Sequence, residues 1–448
     1  MQPSGRQDRR GQLRKLLEVA APLWGAQVAS VALPMTDALY MGRLDPVALA
    51  GGGLGSTLLA TAILIGGSAL GGMAPRVARA DAASDVGALA AYLRHARWLA
   101  GAIAALVLAP ALATAPLLVA AGQPVEVADA AATYVLPAIL SVPFTLGCTI
   151  QRGLLAARGR ARLVTLAWAL AVPLNLALDH VLCDGVGPVP ALGLSGIGVA
   201  TSVVSLAVWL FLLVAGVRTE AEPANGWFGR YDIPIARDLL ALGGPIVLAV
   251  GAEAGVFALA GLAIGWFGSP SLAGHRVATL AAHLSFLAPL ALAQAAAIRV
   301  AATESADRGA RAARAALGAG LAWGLASGAT LVVAAPWIAG AFVPATSEAF
   351  PISVALLRVA AAFQIADSLQ AVAAGVLRGA GDTVTAMRWA LFAYLGIAPA
   401  GAAALAGALD LEALGIWLGL ALGLGVAAAA LVPRALRRTS GAPRAAPR

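Results

Sequence analysis

Apolar residues run along this chain in long, nearly unbroken stretches, and short polar segments rich in Arg separate them. A bilayer-crossing helix needs about 20 apolar residues. Twelve stretches of that kind can be read, at about 16–41, 46–72, 96–120, 127–150, 162–182, 191–216, 238–266, 270–297, 315–342, 350–376, 386–408 and 411–433. Many of them carry proline, as at Pro22, Pro34, Pro143, Pro173, Pro245, Pro289 and Pro399. Membrane helices tolerate such residues because neighbouring groups re-satisfy the backbone, and some of these prolines are expected to bend their helices. The pattern predicts an all-α integral membrane protein of twelve transmembrane helices.

The polar segments test that count. Of the 30 Lys and Arg residues, all but Arg43, Arg276 and Arg358 fall in the two tails or in every second loop. Cytoplasmic loops carry the excess of Lys and Arg, so both termini are expected in the cytoplasm, and an odd number of spans would break the alternation. The expected organisation is a basic N-terminal tail (1–15), a six-helix lobe (16–216), a central cytoplasmic loop (217–237), a second six-helix lobe (238–433) and a basic C-terminal tail (434–448).

The two halves also resemble each other. Leu16-Leu17 and Pro22 match Leu239-Leu240 and Pro245, and Arg76-Val77-Ala78 matches Arg299-Val300-Ala301, at an offset of 223. Further on, Gly153 and Gly159 match Gly375 and Gly381 at an offset of 222. With six spans per half the repeat keeps its orientation. This predicts two six-helix bundles related by a parallel pseudo-twofold repeat, an architecture of transporters that rock two bundles about a central site.

Composition narrows the function classes. Only 12% of the 448 residues are charged and 60% are hydrophobic, against about 25% charged in an ordinary soluble domain. The net charge of +8 does not point to nucleic acid, because the basic residues sit where topology signals sit. Cys148 and Cys183 make neither a disulfide framework nor a metal signature. His275 and His283, eight residues apart on span 8, lack a third ligand, so no metal site is expected. No removable signal peptide is expected, since the first apolar run is long and has no small-residue cleavage site. No nucleotide-binding Gly-Lys-Ser/Thr motif and no Ser/His/Asp signature appears, so the reading is of a protein that is not an enzyme and needs no cofactor.

Ionisable residues inside spans are costly and mark function by default. Asp37 lies late in span 1, Asp179 in span 5 one turn after Asn175, Glu253 in the middle of span 7, and Asp367 in span 10 one turn after Gln364. Each acid could hold a proton or help coordinate Na⁺, for which carboxylate, Asn and Thr oxygens are suitable ligands. None has an acidic partner in the repeat: Ser30 stands opposite Glu253, and Ala260 opposite Asp37. The two halves are therefore expected to do different jobs.

At these residues the chain resembles the multidrug and toxic compound extrusion (MATE) family over nearly its whole length. Asp37-Ala38-Leu39-Tyr40-Met41-Gly42-Arg43-Leu44 is similar to the family's Asp-x-x-x-x-Gly-Arg-Leu. Pro173-Leu174-Asn175 with Asp179, and Gly196-Ile197-Gly198-Val199-Ala200-Thr201, resemble its fifth and sixth spans. Span 7 opens Gly244-Pro245-Ile246 and reaches Glu253, and Leu272-Ala273-Gly274-His275-Arg276-Val277 stands where the family usually has Ala-Ala-His-Gln-Val. Phe363-Gln364-Ile365-Ala366-Asp367, followed by Leu377-Arg378-Gly379-Ala380-Gly381-Asp382-Thr383, is the strongest block. The chain departs from the pattern at Phe363, where some members have Tyr, at Arg276 in place of Gln, and at Arg79–Asp85, which lacks a glycine-rich Gln-x-x-Gly.

The resemblance implies an outward-facing V of two bundles and a secondary active antiporter working by alternating access. It would export small organic, cationic and amphiphilic drugs or metabolites in exchange for H⁺ or Na⁺. It implies an N-lobe cation site of Asp37, Asn175, Asp179 and Thr201, a C-lobe cation site of Glu253 and Asp367, and a structural role for Asp382. A multi-pass protein of the plasma membrane, monomeric and surrounded by lipid, is expected. The alternative is a flippase or exporter for an amphiphilic, lipid-linked substrate on the same architecture, though a cavity for anionic phosphates should hold basic residues where these spans hold acids.

Overall fold

The computed structural model describes residues 5–218, 230–303 and 305–440, and among them every element is helical. Most of the central loop (219–229) and the tail residues 441–448, with Arg444 and Arg448, lie outside the described residues. The first half contains α1 (Gly5–Leu44), α2 (Pro46–Ser68), a 3₁₀ turn at Ala69–Gly72, α3 (Met73–Ala82), α4 (Val86–Ala111) and α5 (Thr114–Ala120). It continues with α6 (Val125–Ala138), α7 (Ser141–Ala157), α8 (Ala161–Asp179), a π-helical turn at His180–Gly185 and α9 (Gly193–Arg218). The second half contains α10 (Ile233–Gly265), α11 (Ser269–Ala301), α12 (Ala306–Gly340) and α13 (Ala349–Ala380). After it come α14 (Thr383–Leu391), a π turn at Phe392–Ile397, α15 (Ala398–Ala403), a second π turn at Ala404–Ala408, and α16 (Glu412–Ser440).

Among the described residues ten helical stretches are long and apolar enough to cross a membrane, and two bent pairs bring the number to twelve if each counts as one span. Local chemistry explains most boundaries. Asp45 caps α2 by accepting from the Ala48 amide at 2.7 Å, with Pro46 at the first helical position, where its missing N–H costs nothing. Gly381, at φ 79°, closes α13 in the left-handed conformation that glycine adopts without a Cβ penalty. α1 begins at Gly5 and α16 continues to Ser440, so much of both expected basic tails is helix. Their Arg, Leu, Lys and Gln residues are good helix formers.

The large bends occur where proline removes a backbone donor. α4 and α5 meet at 60° just after Pro110, and α6 and α7 at 52° between Pro137 and Pro143. Some of the prolines named from the sequence are expected to bend their helices, and of those Pro143 stands at one of these breaks. Pro22 and Pro34, Pro173, Pro245 and Pro289 lie within uninterrupted α1, α8, α10 and α11.

The chain forms two compact units, residues 25–243 and residues 1–24 with 244–448. The divisions fall inside α1 and α10. In the unit of residues 25–243, Ala26, Leu155, Val164, Val204 and Leu212 belong to one buried cluster. Small residues bring its helices into backbone contact, as in membrane bundles generally. Gly198 on α9 lies directly against the Tyr134 carbonyl of α6, where a Cβ would clash. In the other unit, Gly375 and Gly379 on α13 lie against the backbones of Ala293 and Ala297 on α11. Gly324 on α12 packs against Gln364 and Ser368. Its core includes the fully buried Trp417 with Leu357, Ala360, Phe363 and Leu424.

Candidate functional site

In the unit of residues 25–243, four helices bring polar groups to one buried point. Asp37 comes from α1, Tyr134 from α6, Asn175 and Asp179 from α8, and Thr201 from α9. Asn175 and Asp179 are one turn apart and so share a helix face. Immediately after Asp179 the helix widens into the π turn His180–Gly185, a distortion found often at functional sites. Because Gly198 sets α9 against the backbone of Tyr134, Thr201, one turn further along, reaches the Tyr134 hydroxyl at 3.4 Å.

Asn175 is the pin of this cluster. Its Nδ2 lies 2.7 Å from Asp37 Oδ1, 2.8 Å from Asp179 Oδ2 and 2.8 Å from Thr36 Oγ1. An amide has two protons for these three acceptors. The other Asp37 oxygen accepts from Thr201 Oγ1 at 3.1 Å and, more weakly, from the Tyr134 hydroxyl at 3.4 Å. Asn175 and Asp179 are 1% and 0% exposed, and Asp37 is 5% exposed. Within this dry cluster, Asn175 Oδ1 and Asp179 Oδ1 have no hydrogen-bond partner. An orphaned amide oxygen and an orphaned carboxylate oxygen, with Asp37 alongside, constitute an unmet demand for a donor or a cation, since buried polar groups are costly when unsatisfied.

The other unit brings Glu253 on α10 and Asp367 on α13 within range of one another's charge, beside the phenol of Tyr394. Tyr394 lies in the π turn Phe392–Ile397. Asp367 is buried and Glu253 half-buried. Here the hydrogen bonding is sparse. Gln364 Nε2 donates to the Ala282 carbonyl at 3.3 Å, while Gln364 Oε1, Ser368 Oγ and the Tyr394 hydroxyl have no partner of ordinary geometry. Aromatic rings wall the region: Phe363 packs edge-on against Phe257 and Trp417. His275 is tied to this wall, its Nδ1 accepting from Trp417 Nε1 at 3.2 Å.

The fold thus assembles the expected Asp37, Asn175, Asp179 and Thr201 into one constellation, and places Glu253 near Asp367 in a second. Three participants escaped the sequence reading: Thr36, Tyr134 and Tyr394. The available signal was a hydroxyl in the middle of an otherwise apolar run, but apolar helices routinely satisfy Ser and Thr on their own backbone, as Thr133 does on Asp129. Asp382 lies just before α14 and accepts from Arg434 at 2.9 Å. Among the described residues no group of three or more His, Cys, Asp or Glu could hold a metal ion, and both cysteines are free and buried.

Comparison with known proteins adds a family. The MatE model matches residues 22–181 and 245–402, two stretches that begin 223 residues apart, which is the internal repeat. The probable multidrug resistance protein NorM of Burkholderia pseudomallei is 32% identical over 417 residues, covering 90% of this chain and 87% of that protein. The corresponding NorM of Rhizobium meliloti is 34% identical over 452 residues, covering 96% and 95%. Among solved structures, a MATE protein in the bent conformation matches with a TM-score of 0.87 at 20% identity, covering 98% of both chains. The eukaryotic MATE transporter AtDTX14 matches with a TM-score of 0.83 at 16% identity, covering 96% of this chain and all of that one. These structural likenesses establish the shared fold.

Proposed function

The chain belongs to the MatE family, and from that premise we propose that it exports small organic compounds, cationic and amphiphilic ones above all, in exchange for H⁺ or Na⁺. Membership makes it a multi-pass membrane transporter and not an enzyme. Its NorM relatives, named as multidrug resistance proteins, support a broad cargo. The observation that carries the coupling is the pair of orphaned oxygens, Asn175 Oδ1 and Asp179 Oδ1, in the buried cluster around Asp37.

A proton arriving on either carboxylate turns an acceptor into a donor and relieves the crowding of acceptors around the Asn175 amide. A Na⁺ ion would do the same work by drawing on the Asp37, Asp179, Asn175 and Thr201 oxygens. In both cases the bound cation removes the negative charge that attracts a cationic cargo. Ion entry and cargo exit are then linked, because a ligand shifts a conformational equilibrium only by its differential affinity for the two states. Glu253 and Asp367 form a second acidic centre, which we assign to the same exchange. The protein works as a monomer in the plasma membrane with both termini in the cytoplasm, the side to which the Arg-rich loops point.

The test uses purified protein in proteoliposomes loaded with a fluorescent organic cation, with a proton gradient and a Na⁺ gradient imposed separately. Efflux under one gradient, abolished by Asp37→Asn, is the expected result and names the ion. Efflux under neither, or an Asp37→Asn variant with wild-type transport, would overturn the reading.

A further inference from the structure

The internal repeat relates Asp37, Asn175, Asp179 and Thr201 of the cluster to positions in the other unit. Asp37 corresponds to Ala260 at the offset of 223. Two matching close approaches fix the register of the remaining helices. Gly196 on α9 packs against the peptide joining Leu182 and Cys183, and Gly415 on α16 packs against the peptide joining Leu405 and Ala406. Aligned on these peptides, Asn175 corresponds to Ala398 and Asp179 to Ala402. Thr201, five residues after Gly196, corresponds to Leu420, five residues after Gly415. All four counterparts are apolar, and all four line a single cavity of about 390 Å³. The place that holds two acids, an amide and a hydroxyl in one unit is a hydrocarbon-lined cavity in the other.

What could occupy it is constrained by its walls. No lining side chain carries a charge, a hydroxyl or an amide, and the indole of Trp266 is the one polar handle. A hydrated or charged group placed there would lose its water with no compensating partner. The volume lies within the range of about 300–1,000 Å³ typical of sites that hold a ligand. Ala260, Ala398 and Leu420 form a buried floor, whereas the rim residues Leu259 and Trp266 are 60% and 85% exposed. The lining residues lie in or next to the membrane-spanning stretches Ile233–Gly265, Thr383–Ala408 and Glu412–Ser440. An apolar rim at that depth meets acyl chains. Trp266 stands just beyond the end of α10, where a tryptophan sits at headgroup level.

We propose that this cavity is an acyl-chain site, in which the hydrocarbon tail of a membrane lipid enters between α10 and the α15–α16 pair with its headgroup at the level of Trp266. The same helix positions then serve a cation in one unit and a lipid tail in the other.

The experiment reconstitutes the full-length protein in vesicles of phosphatidylethanolamine doped with an analogue bearing a diazirine on one acyl chain. Irradiation is followed by mapping of the adducts by mass spectrometry. Labelling of the stretches 256–266 and 398–407 should exceed that around Leu106 and Val333, exposed residues elsewhere on the surface, by about tenfold, or about 1.4 kcal/mol of preference. Ala402→Trp should fill the cavity and remove the excess, and Ala263→Phe on the facing wall should do the same where the first variant fails to elute as a monodisperse species. Labelling no stronger than at Leu106, or an excess that survives both fillings, overturns the proposal. So does an excess displaced by saturating fluorescent organic cation, which would make the cavity a cargo site.

Discussion

In the unit of residues 25–243, one carboxylate, Asp37, gathers donors from three other helices: Asn175 on α8, Thr201 on α9 and Tyr134 on α6. In the unit that holds Glu253 and Asp367, two acids share a region where Gln364 Oε1 and Ser368 Oγ stand without partners and the Tyr394 hydroxyl faces Glu253 without a bond of ordinary geometry. The backbone plan is repeated, yet the polar chemistry is not. Duplication fixes where helices meet and where glycines must sit, since a Cβ there would collide with backbone. It leaves the inward-facing side chains free to diverge, because an alanine and an aspartate fit the same helix. The first centre is preorganised, with its donors already aimed. The second is underfilled, since no comparable set of donors is aimed at its acids, although both centres hold orphaned oxygens.

The largest expected effect separates the two centres directly. Asp37→Asn removes the charge to which Asn175 and Thr201 donate, and hydrogen bonds to a charged group contribute about 1.5–3 kcal/mol each. Losing two of them should lower the initial efflux rate by roughly 100-fold or more, a change of about 3 kcal/mol. Glu253→Gln, which leaves Asp367 to carry the charge of its centre, should lower it by about tenfold. Equal losses in the two variants would erase the distinction between a preorganised and an underfilled centre.

Asn175→Ala ranks next. It leaves Asp37 and Asp179 side by side without the amide between them, and truncating one partner of a buried network costs the desolvation of the groups left behind, about 1–3 kcal/mol. A lower melting temperature at neutral pH is expected, with part of the loss recovered at acid pH as one carboxylate protonates. A melting temperature unchanged from wild type would remove Asn175 from its central position.

Much of this was legible in the sequence. Long apolar runs located the spans, because the bilayer sets their length, but several helices continue well past the apolar run, as α12 does in beginning at Ala306. The acids stood out because a carboxylate inside a span is expensive and therefore rare. Tyr134 and Tyr394 did not stand out, since a single tyrosine in an apolar run is compatible with a core, an interface or a site. Which of these applies depends on what faces it across the bundle. The bends after Pro110 and Pro137 were missed for a related reason: a proline removes one hydrogen bond wherever it sits, and only the packing decides whether the helix turns there. The three π turns leave no mark on apolar periodicity at all, although one carries Tyr394 and another begins directly after Asp179.

The two tyrosines sharpen the comparison at a smaller scale. Tyr134→Phe removes a hydroxyl that touches Asp37 and Thr201, each at 3.4 Å, and should destabilise by about 0.5–1.5 kcal/mol. Tyr394→Phe removes a buried hydroxyl that faces Glu253 without a bond of ordinary geometry. Deleting an unsatisfied buried group is neutral or favourable, so this variant should melt at or above the wild-type temperature. Thermal denaturation of the detergent-solubilised protein distinguishes the two, and a destabilised Tyr394→Phe would mean that the phenol makes a strong bond to Glu253.

The smallest effect lies outside the membrane, where the units differ in a surface ion pair. Arg158 pairs with Asp81 at 2.9 Å in one unit, and Asp382 accepts from Arg434 at 2.9 Å in the other, with Arg438 at 3.9 Å. Burial pushes the Asp382 carboxyl up, but the hydrogen bonds from Thr385 and Arg434 and the charge of Arg434 together outweigh it and hold the carboxyl below its ordinary value of 3.8. A depressed folded value means that the unfolded chain binds the proton more readily. The stabilisation is therefore present above the ordinary value and is lost as pH falls below it. Both arginines are about half exposed, so solvent screening limits the contribution to about 0.5–1 kcal/mol. Asp382→Asn should accordingly lower the melting temperature slightly at neutral pH, should have no effect once the pH is well below the carboxylate range, and should lose its effect in high salt. A destabilisation that persists in acid would show that Asp382 acts by shape and hydrogen bonding and that its charge contributes nothing.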